Sequence, residues 1–196
     1  TTNALQSLEQ ILESHQDIAA VILEPLVQCA AGMHMHSPDY LRGARELCDR
    51  HQVHLILDEI AVGCGRTGTF FACEQAGIWP DLLCLSKGIT GGTLPLSVVL
   101  SGPTIYQGFY DQDLRRGFLH SHSYTGNPLA CRAALATLDL FQQYPVYELQ
   151  KTLGQALDEG LHKLRQHYPK MQHLRRCGVI WAFELDTGPA RYDHQG

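Results

Sequence analysis

Apolar runs of strand length alternate with helix-like segments along most of this chain. Leu5 to Ser14 reads as a short helix, and Ile18–Leu23 as a continuous apolar run that stops at Glu24-Pro25. Ser37-Pro38-Asp39 supplies a helix N-cap, a proline for the first helical position and an early acid. Tyr40, Leu41, Ala44, Leu47 and Cys48 then recur at helical spacing, which lines one face. Val53–Leu57 is a second strand, closed by Asp58-Glu59, and Leu82–Leu85 a third, closed by Ser86-Lys87. Leu96–Leu100 is a fourth, suited to an antiparallel edge. Gly102–Gly117 reads as polar loop, Asn127-Pro128 opens a long helix through Leu140, and Val146–His167 forms another. Val179–Leu185 returns to a strand pattern. Apolar strands separated by helices predict an α/β fold with a mostly parallel sheet, buried on both faces under helices. Residues 1–144 are expected to belong to a large domain. Residues 145–196 would form a connecting helix and the start of a smaller α/β domain.

Composition narrows the possibilities. With 196 residues, 44% of them hydrophobic, the chain can bury one substantial core. A net charge of −5 gives no basic surface for nucleic acid. No apolar run approaches the roughly 20 residues that span a bilayer. The opening Thr1-Thr2-Asn3 lacks the pattern of a secretory leader, and without a starting Met the chain is expected to be an internal piece. Seven cysteines, an odd number with no Cys-x-x-Cys, are expected to be reduced core thiols of a cytoplasmic protein. The pairs His34/His36 and His120/His122 lack zinc-site spacing, so no metal site is expected.

In a sheet of this kind chemistry gathers beyond the carboxyl ends of the strands. Here those ends carry Glu24, Asp58 and Lys87. Lys87 is the only lysine in the first 150 residues, and Gly88 and Gly91-Gly92 follow it. An amine at a partly buried strand end can have the lowered pKa that a Schiff-base lysine requires; equally, such a lysine can simply snorkel. Asp58 needs a cationic or donor partner if it is buried. A protonated pyridine nitrogen, an arginine or a helix N-terminus would each serve. The loop Gly63–Gly68 is glycine-rich but lacks the Gly-Lys-Ser/Thr ending of a nucleotide-triphosphate loop.

Leu57–Gly68 followed by Ser86–Gly92 resembles the class III (omega) aminotransferases of the pyridoxal-phosphate fold type I. Within that class, Glu24–Gln28, Lys87–Ser97 and His120–Ala130 look most like the branch that serves biotin synthesis. The resemblance implies a pyridoxal 5'-phosphate enzyme with Lys87 as the Schiff-base lysine and proton shuttle. Asp58 would hold the pyridine nitrogen and Ile60 would pack on one face of the ring. His122 and Ser123 would match the pair that reaches the cofactor phosphate of a neighbouring subunit, implying a homodimer. Ser121 would match a substrate-contacting position. The implied donor is S-adenosylmethionine and the implied acceptor 8-amino-7-oxononanoate, giving 7,8-diaminononanoate. Other class III activities, namely omega-amino acid–pyruvate aminotransferase and semialdehyde aminomutase, remain open, as does a non-catalytic packing or binding role. Two departures from the family pattern stand out. Cys64 replaces a usual Phe, which should loosen packing near the cofactor. Ala30 replaces a Glu of ornithine-type relatives. The resemblance also implies that the chain starts inside the large domain, stops as the small one begins, and has little or no activity alone.

Overall fold

The computed structural model describes residues 2–185. A four-stranded sheet forms its centre, built from β1 (Ala20–Leu23), β4 (His54–Asp58), β5 (Leu82–Leu85) and β6 (Val98–Ser101), in the order β1-β4-β5-β6. The first three strands are parallel, and β6 runs antiparallel at the edge. The register sets Leu23 beside Leu57 and Asp58 beside Cys84. The three parallel strands therefore end side by side, and whatever follows each of them shares one rim of the sheet.

Helix α1 (Thr2–Ser14) packs on α2 (Pro38–His51), which packs on β4. Ser37 caps α2 by accepting from the Asp39 backbone N–H, and the helix ends at Gln52, a non-glycine residue in the left-handed region at φ 55°. Leu41, Ala44, Leu47 and Cys48 are the buried face of α2, the stripe that its sequence spacing defines. Leu41, Leu55 and Leu57 are fully enclosed, and each contributes about 1.5–3 kcal/mol by leaving water. Leu12, Leu47 and Val53 make a smaller cluster. Arg45 on α2 reaches Asp81 at 2.8 Å, and the same carboxylate oxygen accepts from the Leu55 N–H at 2.7 Å. This locks helix to sheet.

A short hairpin, β2 (Val27–Gln28) with β3 (His34–Met35), follows β1. Later in the chain come α3 (Pro103–Phe109), α4 (Pro128–Gln143) and α5 (Val146–His167), then the antiparallel pair β7 (Met171–Cys177) and β8 (Ile180–Leu185). Asn127 caps α4 by accepting from the Leu129 and Ala130 N–H groups.

Three expectations need correction, and one strand was not anticipated. Burial on both faces does not hold across the sheet, because Ile22 of β1 is 62% exposed and Val99 of β6 60% exposed. The described residues leave those flanks uncovered. The span Gly102–Gly117 is not all loop, since Pro103 starts α3 in the position proline favours and Leu114–Arg116 forms a short 3₁₀ turn. The polar run Met171–Cys177 is a strand that carries no strand-like pattern, because it is defined by pairing with β8. The cysteines are all free, yet Cys131 is exposed on α4 instead of lying in a core.

Candidate active site

The rim formed by the ends of β1, β4 and β5 borders a cavity of about 330 Å³, lined by Glu24, Cys29, Ala30, Asp58, Ile60, Ala61 and Lys87. All three residues that end or follow the parallel strands are among them. The local chain explains how they arrive. Beyond β4 the backbone turns at once: the Ile60 N–H donates to Asp58 Oδ1 at 3.0 Å, which orients that carboxylate. Its second oxygen has no hydrogen-bond partner among the described residues.

Glu59 points the other way, into the core, and is 1% exposed. It accepts from the Ala72 and Cys73 N–H groups at 2.7 and 2.9 Å, so one buried carboxylate ties the strand end to the 3₁₀ turn Ala72–Ala76. Burial pushes this carboxyl up from its ordinary value, against the pull of the Cys73 and Ala72 N–H groups. The glycine-rich loop between these anchors is packed closely. A Cβ on Gly63 would lie 2.9 Å from the Glu59 carbonyl oxygen, and one on Gly88 would lie 2.9 Å from the Cys64 Cβ. Cys64 thus sits against the turn that carries Lys87. Its thiol is pushed up to about 11, by burial first and Glu59 second.

Lys87 begins a 3₁₀ turn, Lys87–Thr90, and takes a left-handed backbone conformation at φ 45°. That conformation costs a non-glycine residue about 1–2 kcal/mol and such strain concentrates at functional sites. The turn is stapled on both sides. Ser86 Oγ donates to the Leu96 carbonyl at 2.7 Å, and buried Thr90 donates to the Leu94 carbonyl at 2.6 Å. The Lys87 side chain is exposed at the mouth of the cavity, not partly buried as its strand-end position predicts. The amine makes no hydrogen bond or ion pair among the described residues. Asp58 and Lys87 therefore face one cavity without neutralising each other.

Hairpin β2–β3 supplies the remaining wall. Glu24 Oε2 accepts from the Cys29 N–H at 2.7 Å, and His36 Nε2 lies 3.1 Å from the Glu24 carbonyl oxygen. Burial and then Glu24 push the Cys29 thiol up, which disfavours a thiolate at neutral pH. Cys29, Ala30 and Ala61 are cavity residues that strand and helix patterns do not reveal. For Cys29 and Ala61 the only signal was their position in turns just past strand ends; Ala30 was also marked by its departure from the ornithine-type relatives.

The remaining predicted site residues lie elsewhere. Ser121, His122 and Ser123 are exposed, in the turn that precedes α4, and none lines the cavity. That turn is held by its own bonds, with the His122 N–H donating to Thr125 Oγ1 at 2.9 Å and the Tyr124 N–H donating to His122 Nδ1 at 3.1 Å. Among the described residues, no cluster of His, Cys, Asp or Glu is arranged to hold a metal ion, and no helix is long and apolar enough to cross a membrane.

The family model described as aminotransferase class-III matches residues 1–193. The adenosylmethionine-8-amino-7-oxononanoate aminotransferase of Helicobacter pylori is 47% identical over 188 residues, which is 93% of this chain and 43% of that protein. The crystal structure of the enzyme of the same name from Methanocaldococcus jannaschii superposes with a TM-score of 0.85 at 36% identity, covering 92% of this chain and 42% of that one. The ornithine aminotransferase of Toxoplasma gondii, a structure with pyridoxal phosphate partly occupying its active site, matches with a TM-score of 0.82 at 30% identity, covering 93% of this chain and 41% of that one. The chain spans less than half the length of each of these relatives.

Proposed function

Because the chain belongs to the class III aminotransferases, we propose that its cavity is the pyridoxal-phosphate site of an enzyme of biotin synthesis. The reaction would transfer the amino group of S-adenosylmethionine to 8-amino-7-oxononanoate. The observation that carries this reading is the meeting of Asp58, Ile60 and Lys87 in one cavity. The residues present fit the cofactor. A carboxylate with a free oxygen suits a protonated ring nitrogen, an unpaired amine suits an aldehyde, and Ile60 and Ala61 give apolar surface for a ring. When bound, pyridoxal phosphate supplies a carbonyl carbon that accepts an amino group and a ring that withdraws electrons.

The chain's own residues then have separate tasks. Asp58, oriented by the Ile60 N–H, would bind the ring nitrogen and keep it protonated. Lys87 would hold the aldehyde end and move a proton at the reacting carbon of the substrate. The stapled turn beneath it restricts where that amine can reach. Ser121, at the exposed turn, would contact substrate. His122 and Ser123, exposed and away from this chain's cavity, would serve the cofactor phosphate of a second subunit in a homodimer. Residues 1–144 would form the cofactor domain and 145–196 the start of the smaller one, in a cytoplasmic enzyme.

The test uses the complete protein. Added pyridoxal phosphate should give an absorption band at the visible edge that Lys87→Ala abolishes. S-adenosylmethionine should be the required amino donor. A band that survives Lys87→Ala overturns the site, and turnover of ordinary amines with pyruvate overturns the substrate assignment while leaving the site intact.

A further inference from the structure

We propose that Arg175, on β7, is a positioning residue for the cavity wall formed by hairpin β2–β3. The loop Cys29–Met33 joins the two hairpin strands and carries two cavity residues, Cys29 and Ala30. Its distal end contains two successive residues in the left-handed region, Gly32 at φ 82° and Met33 at φ 56°. Met33 has a side chain, so this turn is intrinsically unfavourable and needs something outside itself to hold it.

Arg175 provides that restraint. Its Nε donates to the Met33 carbonyl at 3.0 Å and its Nη2 to the Gly32 carbonyl at 2.6 Å. One edge of the planar guanidinium thus engages two consecutive carbonyls, a recognition that a lysine ammonium cannot reproduce. The opposite edge is anchored at home: Nη1 donates to the His173 carbonyl at 2.8 Å and lies 3.1 Å from Glu184 Oε1 on β8. The irregular register between Gln172 and Arg175, with His173 at φ 50°, marks where the strand departs from regular pairing just before the arginine.

The restraint passes to the cavity through two short links. The Met33 N–H donates to the Cys29 carbonyl at 3.2 Å, and the Cys29 N–H donates to Glu24 Oε2 at 2.7 Å. The loop is therefore held at one end by a cavity carboxylate and at the other by an arginine 142 positions later in the chain. Arg175 couples the β7–β8 pair to the site. The consequence for catalysis rests on the proposed cofactor role of the cavity; the restraint on the loop does not.

The experiment compares Arg175→Met, Arg175→Lys and Glu184→Gln in the complete, cofactor-loaded protein. The first readout is the alkylation rate of Cys29, resolved from the other cysteines by peptide mapping. Arg175→Lys, which loses one charge-assisted bond to the loop, should raise it about tenfold, and Arg175→Met, which loses both, by at least as much. The buried Cys48 and Cys73 should stay slow. Glu184→Gln, which keeps both carbonyl contacts, should behave as wild type. The second readout is kinetic: both Arg175 variants should raise the donor KM more than they lower kcat. An unchanged Cys29 rate in both variants, full rescue by Lys, or a parallel rise at Cys48 and Cys73 that reports general unfolding each overturns the proposal. Faster Cys29 alkylation in a protein whose Lys87→Ala variant still gives the cofactor band would support the restraint and reject the cofactor reading separately.

Discussion

Removing the Glu59 carboxylate should weaken the frame of the site far more than its lack of any contact with the cavity suggests. The side chain is 1% exposed and accepts two backbone N–H groups, from Ala72 and Cys73, both of which belong to fully buried residues. In Glu59→Ala both donors lose their partner in a dry interior, at about 1–3 kcal/mol each. Relief of a buried carboxyl offsets part of that, so a net loss of about 3 kcal/mol is expected. Glu59→Gln keeps one acceptor but turns an amide NH₂ toward the other donor, and should cost about 2 kcal/mol. Urea unfolding followed by tryptophan fluorescence is a suitable assay, because Trp79 packs edge-on against Phe71 at 5.8 Å, beside the anchored turn. The pH dependence adds a signature. The folded protein holds the Glu59 proton more tightly than the unfolded chain does, since burial raises the carboxyl above its ordinary 4.5. Its contribution is therefore full below that value and is lost as pH rises through the raised folded one. Glu59→Gln should remove this slope. A Glu59→Ala protein within about 0.5 kcal/mol of wild type, or an unchanged slope in Glu59→Gln, would refute the assignment of Glu59 as the anchor.

Other contacts give further outcomes. Gly178 lies between β7 and β8 at φ 59°, where an added Cβ would overlap the Thr67 backbone and approach the Arg66 carbonyl oxygen. Gly178→Ala should separate the β7–β8 turn from the glycine-rich loop and break the Val179 N–H bond to Arg66, measured as faster amide exchange at Val179. Asp81→Ala leaves the Leu55 N–H and Arg45 without their shared carboxylate and should cost about 2–4 kcal/mol in thermal unfolding. Burial alone would raise the Asp81 carboxyl, but Arg45 and the Leu55 N–H outweigh it and hold the group below 3.8. That stabilisation is present above 3.8 and should disappear as pH falls through the lowered value, a loss absent from the variant. Ser37→Ala removes the α2 cap and should lower stability by about 1 kcal/mol, with Ser37→Asp restoring it.

Elements whose sidedness or capping is local were legible in the sequence. Leu82–Leu85 and Val146–His167 form where their patterns place them, and Ser37 and Asn127 cap the helices they were expected to start. The antiparallel edge strand was legible too, although it is shifted to Val98–Ser101. Hairpin β2–β3 and strand β7 were not legible. Each is short or polar, and its backbone bonds are satisfied only by a partner strand. Single-chain patterns hold no record of which strand that will be.

For the site the division is similar. Alternation of apolar runs and helices, ending in Glu24, Asp58 and Lys87, determined that these groups would share one rim, because parallel strands must end in the same direction. The sequence by itself carried no information on which turns would close over that rim, which pointed to Lys87 as partly buried when it is exposed. The β7–β8 pair packs on loops more than a hundred residues away, and a buried Glu59 orients the chain beside the Asp58 that it leaves free. Those choices depend on distant backbone carbonyls and N–H groups finding one another in three dimensions, and every residue except proline carries the same such groups whatever its side chain.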